Sequence, residues 1–377
     1  MRLAIRTLVA GGSLIAACIA GPLPASAGGS TTYTIGVDAA SPAGHDFEYV
    51  DYFPRSGVRV HRGDVIDFNW NLGLDGLHTA TFLPAGASAP PLIVPEFDEG
   101  FQLQFNPVAL HPSSLSCGTS AASACAYDGM NLVSSGAIAN AAPSSFFVQM
   151  NVSPGTYRYH CLIHPQMQGS ITVVGDSQRA SAVAQVNKAA ARQLKADTKA
   201  ALEKEEETND TSVTRNANGS RTITMIAGTA TRYVEIAEML PRNLTIRAGD
   251  TVKWVTRTLQ DPHTVTFPLG SGSDSVDPLA FLCEGAAGDT PPPGGPPPSF
   301  GCANPLDSEA HVMPQPQGPT LISSTATVAS SGIISTLPPG PDNYSFTFTA
   351  LGSFPYMCRI HDHMVGTVKV VAGEAED

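Results

Sequence analysis

The sequence predicts an all-β protein, two tandem β-sandwiches joined by a helical linker, on three observations. A seven-residue pattern, C-x2-H-x2-M, occurs twice, as Cys161-Leu-Ile-His164-Pro-Gln-Met167 and Cys358-Arg-Ile-His361-Asp-His-Met364. Short alternating runs, at 145–152, 170–174, 344–349 and 367–371, are separated by Gly, Pro and Ser turns, the pattern of sandwich strands. Between about residues 177 and 207 the composition shifts to Ala, Gln, Lys and Glu without Pro or Gly, which favours a helix.

Taken in order, the chain of 377 residues opens with Arg2 and Arg6, an apolar stretch from Thr7 to Ala20, and Ala25-Ser26-Ala27 before Gly28. That is the form of a secretory signal peptide, residues 1–27, with an A-x-A cleavage site. A second reading takes Ile15-Ala-Ala-Cys18 as a lipobox, with a lipid on Cys18 holding the protein at a membrane surface. The apolar core is too short to span a bilayer comfortably, and no other stretch is long and apolar enough. The chain is therefore expected to be secreted or held in the cell envelope or periplasm. Its net charge of −12 becomes −14 once Arg2 and Arg6 leave, which argues against nucleic acid and anionic membranes as partners.

The first sandwich is expected over 31–175, the helical and flexible linker over 176–218, and the second sandwich over 219–373. The repeat extends beyond the C-x2-H-x2-M loops. Phe53-Pro-Arg leads to the turn Gly63-Asp64 as Leu240-Pro-Arg leads to Gly249-Asp250, and the Val-Ser-Ser-Gly segment at Val133 matches Ala-Ser-Ser-Gly at Ala329. Each half also carries one His at the matching upstream place, His78 before Thr79 and His263 before Thr264. The linker should present Ala184, Val186, Ala189, Ala190 and Leu194 on a weakly apolar face and then leave through a flexible exit at 209–220. It reads as a surface-packed connector before it reads as a spacer between two sites.

Of seven cysteines, Cys18 goes with the leader and Cys161 and Cys358 lie in the repeated loops. Cys117 with Cys125, and Cys283 with Cys302, then read as local disulfides of an exported protein, each contributing about 2–4 kcal/mol. Neither pair has nearby His in metal-ligand spacing.

A thiolate, an imidazole and a thioether on one short loop, with a second imidazole from a neighbouring strand, form the donor set of a blue (type 1) copper site, two His and one Cys near a plane with a long axial Met. The expected ligands are His78, Cys161, His164 and Met167 in the first half and His263, Cys358, His361 and Met364 in the second. Both halves resemble cupredoxins, the plastocyanin and amicyanin family, and the short loop spacing is similar to that of amicyanin. The resemblance covers most of 31–174 and 220–372. It implies two tandem cupredoxin-like Greek-key β-sandwiches, one copper ion in each, and electron entry and exit at solvent-near His164 and His361. Where family members often carry Asn after the first His, this chain has Thr79 and Thr264, whose backbone N–H groups can still reach the Cys sulfur. Tyr159 and Tyr356 should pack under the sites, and Gly169 and Gly366 should permit a tight exit from each loop.

Two catalytic readings compete. His160 beside Cys161 resembles the copper nitrite reductases, where that His holds a second, type 2 copper at a subunit interface, but the catalytic His expected five residues after His78 is Leu83. His361 and His363 make an H-x-H pair, the only one in the chain, and a laccase-like oxidase needs several. The sequence thus reads as an electron carrier between redox partner proteins rather than a catalyst, with copper sequestration or delivery as the other alternative.

Overall fold

Alternating side chains decide the strands and the faces they bury. In the computed structural model, which describes residues 29–70, 76–96, 102–138, 145–269, 316, 318–336, 341–361 and 363–372, the strand Ser145–Met150 turns Phe146, Val148 and Met150 inward and leaves the residues between them half-exposed. The first half has β1 (Thr32–Val37), β2 (Phe47–Glu48), β3 (Tyr52–Phe53), β4 (Val58–His61), β5 (Val65–Asn69), β6 (Thr81–Phe82), β7 (Ile93–Glu96), β8 (Gln102–Phe105), β9 (Cys125–Tyr127), β10 (Val133–Ser134), β11 (Ser145–Met150), β12 (Gly155–His160) and β13 (Gln168–Val174). After a short helix α1 (Pro107–Leu110) within that half and the long α2 (Val183–Thr208), the second half has β14 (Ser212–Arg215), β15 (Arg221–Ala230), β16 (Glu235–Leu240), β17 (Asn243–Arg247), β18 (Thr251–Arg257), β19 (Thr266–Phe267), β20 (Leu321–Ile322), β21 (Ala329–Ser330), β22 (Asn343–Phe348), β23 (Gly352–Met357) and β24 (Val365–Val371).

The fold is all-β apart from these helices; each half has two large sheets, and in the first half β7 pairs with β8 in a small sheet of their own. In the first half the large sheets run β3-β1-β5-β11-β9 and β10-β6-β12-β13-β4; in the second, β2-β16-β15-β18-β22-β20 with β14 added on β15, and β17-β24-β23-β19-β21. The repeat holds in strand direction: β1 lies parallel to β5 as β15 does to β18, and β4 parallel to β13 as β17 does to β24. Aromatic rings fill both interiors, with Tyr52 and Tyr159 at 4.7 Å between centroids in one and Trp254 and Tyr356 at 5.2 Å in the other. Cys117 and Cys125 are bonded and tie the loop before β9. Cys283, Cys302 and the leader lie outside the described residues.

The halves share more than a linker. β2 belongs to the first half by sequence but pairs antiparallel with β16, so Glu48 stands directly opposite Glu235. Phe47, Tyr49 and Phe53 then form a third core with Ile226, Ile236 and Leu240 of the second half and Ala201 of α2. The helix begins later than its composition suggests, because residues just before it are held by other strands: Tyr33 Oη donates to the Ser181 carbonyl at 3.0 Å, and the Arg59 N–H to Ser181 Oγ at 2.9 Å. Ala184 faces solvent, and the inward side carries Val186, Asp197 and Ala201. The expected flexible exit is a hairpin, since β14 pairs with β15 from Ser212–Thr224 to Arg215–Arg221 around a turn closed by Asn216 and Ser220. Exposure of all four β14 side chains leaves no alternation to read in the sequence.

Asp197 is inward because Arg55 reaches it. The Arg55 guanidinium spans Asp51 of the first half at 2.5 Å and Asp197 of α2 at 2.6 Å, and lies 3.5 Å over the Tyr233 ring of the second half. Asp51 is buried and also accepts from Gln193 at 2.7 Å. Removing the cation leaves Asp51 buried without its counter-charge, which costs on the order of 3 kcal/mol. Arg55→Ala is therefore expected to lower the urea midpoint clearly, and an unchanged midpoint would show that the network contributes little.

Candidate metal centres

Each C-x2-H-x2-M segment is the turn between two paired strands, β12 to β13 and β23 to β24, and closes on itself. The Cys161 N–H donates to the Met167 carbonyl at 2.9 Å and the Met167 N–H to that of His164 at 2.9 Å; in the second half Cys358 donates to Met364 at 2.8 Å and Met364 to His361 at 3.1 Å. The upstream histidines are held by isolated bridges, His78 to Ile138 and His263 to Ile334. The Ser-Ser-Gly repeat explains itself here: Ser135 Oγ accepts from the Ala80 N–H at 2.9 Å and Ser331 Oγ from that of Val265 at 2.8 Å, clamping the segment that carries each histidine.

These constraints bring His78, Cys161 and His164 together in one half and His263, Cys358 and His361 in the other, each set with its donor atoms within 4.8 Å of one another and all six side chains buried. His164 Nδ1 lies 3.1 Å from His78 Nδ1 and 3.8 Å from Cys161 Sγ; His361 Nδ1 lies 3.6 Å from Cys358 Sγ. Two ligands held about 2.0–2.3 Å from one ion stand roughly 3–4 Å apart, so the spacing fits a shared metal. His263 Nδ1 is buried with no hydrogen-bond partner among the described residues, as a nitrogen kept for an ion would be. Met167 and Met364 are buried on the same loops. Soft thiolate and imidazole donors in this number suit copper.

The thiolates are prepared by the protein. Burial opposes their ionisation, but the adjacent imidazoles of His164 and His78 hold Cys161 well below the usual thiol range, and those of His263 and His361 hold Cys358 down likewise. The Thr79 N–H donates to Cys161 Sγ at 3.4 Å and the Thr264 N–H to Cys358 Sγ at 3.3 Å. The threonines have a second task, since Thr79 Oγ1 accepts from the Leu162 N–H and Thr264 Oγ1 from that of Arg359, each at 2.8 Å.

Beyond the donors lies a group of carboxylates that the sequence did not reveal. Glu235 Oε1 is 3.1 Å from His263 Nε2; Asp261 Oδ1 is 3.1 Å from His164 Nε2; Glu48 Oε1 is 3.4 Å from His78 Nε2, with Asp38 Oδ2 at 3.6 Å. A metal-ligating imidazole commonly gives its other N–H to a carboxylate, which fixes the ring and raises its basicity. Burial and the neighbouring Asp261 push Glu48 up to about 8. For Asp261 burial acts upward, yet the charge of His164 holds it below the usual carboxylate range.

Two expectations need correction. His164 and His361 are not near solvent: they are 4% and 6% exposed, because the Asp261 segment of the second half covers His164 and Glu48 of the first lies in one group with Asp261 and His361. Gly169 and Gly366 do not serve backbone freedom, as neither has positive φ. They stand opposite Tyr159 and Tyr356 in the strand register, and a Cβ on either would overlap the tyrosine ring. His160, half-buried on β12 opposite Gln168, belongs to no group of metal-ligating side chains among the described residues.

Comparison with known proteins gives no matching family model and no matching curated sequence. Solved structures do match. A variant of amicyanin in its Cu(I) form is 18% identical, covering 39% of this chain and 80% of that one, with a TM-score of 0.20. A purple cupredoxin from Nitrosopumilus maritimus is 16% identical over 39% of this chain and 98% of that one, TM-score 0.20. Auracyanin A, a "blue" copper protein from Chloroflexus aurantiacus, is 17% identical over 40% and 98%, TM-score 0.22. By its own geometry the chain is a double β-sandwich protein with two buried His-Cys-His centres.

Proposed function

We propose that each half holds one type 1 copper ion, through His78, Cys161, His164 and Met167 and through His263, Cys358, His361 and Met364, and that the exported protein moves single electrons between redox partners of the cell envelope. The observation that carries this is the occurrence of two buried His-Cys-His sets, each with a buried Met on the same loop, in register on two equivalent sandwiches. Bound copper supplies a reversible one-electron couple. The chain's own residues hold the thiolate with two backbone N–H groups at Cys161, from Thr79 and His164, and exclude water by burying every donor. They also fix the imidazoles through backbone bridges and carboxylates, so that little rearranges when the charge changes.

Copper-loaded full chain is expected to contain two ions, to be intensely coloured when oxidised, and to take up two electrons as that colour bleaches; absence of the band would overturn the reading. The burial of His164 and His361 favours a second reading, copper sequestration. Electron exchange with small redox proteins much slower than copper loss to a chelator would select it.

A further inference from the structure

Glu48 occupies a position that neither half provides alone. Its strand, β2, has left the first half's sheets to pair with β16, which sets Glu48 across from Glu235. From there its carboxylate reaches both centres. Oε1 lies 3.4 Å from His78 Nε2 and 3.9 Å from His164 Nε2, and the carboxylate groups with Asp261 and His361, ligand atoms all within 4.8 Å. Glu235, its cross-strand neighbour, makes its imidazole contact with His263 of the second centre. Like charges directly opposite on a strand pair are unfavourable, and more so when buried. Glu48 and Glu235 are 5% and 0% exposed, and each has an imidazole beside it to offset the cost of that burial.

We propose that Glu48 is a positioning residue shared by the two metal centres, and that through it and Asp261 the charge on either centre sets the affinity of the other for an electron. Resting on the two-copper reading, this makes the centres a linked pair. Buried charges a few ångströms apart interact through a low effective dielectric. A change of one unit at the first centre alters the field at the carboxylates grouped with His361 of the second, and linkage makes the effect reciprocal. Asp261 adds a second connection, because it contacts His164 of the first centre and lies two residues before His263 of the second.

The test is a potentiometric titration of the visible band in the copper-loaded full chain, in Cys161→Ala and Cys358→Ala chains that keep one thiolate each, and in each of these with Glu48→Gln or Glu235→Gln added. Coupling predicts that the two-centre titration is broader than the sum of the single-centre ones. It also predicts that Glu48→Gln shifts the potential of both centres and reduces the excess breadth to less than half, while Glu235→Gln acts on the second centre. A two-centre titration equal to the sum, or a Glu48→Gln effect confined to the first centre, would overturn the proposal. The sum comparison leaves Glu48 unchanged and can overturn the linkage of the centres even where Glu48→Gln fails to fold. A wild-type chain without a visible band would overturn the two-copper reading itself, and is distinguishable from a coloured protein whose centres titrate independently.

Discussion

Cys161→Ser is expected to remove about half of the visible absorbance of the oxidised protein, and Cys358→Ser the other half, because the thiolate is the donor that makes a type 1 site intensely coloured. The two losses should add, since each thiolate belongs to its own donor set on its own loop. Serine keeps the shape of the side chain and can accept the N–H groups of Thr79 or Thr264 that now meet sulfur, so the fold should survive. Its hydroxyl stays protonated where the cysteine is held as thiolate by two imidazoles. Visible and copper-content measurements on both variants check this, and colour that survives either change in full would rule that cysteine out as a ligand.

The second large effect is expected at Gly228. This residue lies in β15 at φ +79°, a conformation that L side chains rarely adopt, at a point where the register of β15 against β16 and β18 shifts. A Cβ there would fall inside the His263 ring. Gly228→Ala must therefore displace the imidazole or the strand. Left-handed strain and overpacking together cost on the order of 3 kcal/mol. The variant should lose the second centre's copper and colour, keep the first centre's, and unfold at lower urea. A Cβ on Gly76, which has no such φ, would overlap His78 and crowd Asp38 and Glu48, so Gly76→Ala should damage the first centre. A Gly228→Ala protein with the complete two-centre spectrum would refute this account of the glycine.

Gly228 could not be picked out of the chain by eye, because what makes it indispensable is an imidazole thirty-five residues away. The carboxylates were hidden for the same reason. Glu48, Glu235 and Asp261 are unremarkable in sequence, and burial against histidines is what gives them a role. The spacing of Gly169 and Gly366 marks the two positions but not their cause, since the tyrosine ring each admits comes from the opposite strand.

What the sequence determined by itself was whatever repeats or alternates. The two C-x2-H-x2-M loops, the matching upstream histidines and the paired Gly-Asp and Ser-Ser-Gly segments are local signals, and side-chain period and short-range spacing are enough to place them on strands and turns. Tertiary structure alone decided how the halves meet. A two-residue strand has no periodicity to read, so nothing in Phe47 and Glu48 announces that β2 will leave its own half for β16. That exchange brings His164 and His361 inward, onto Asp261 and Glu48, instead of outward to solvent. It depends on contacts between residues nearly two hundred positions apart, whose energies no local pattern records.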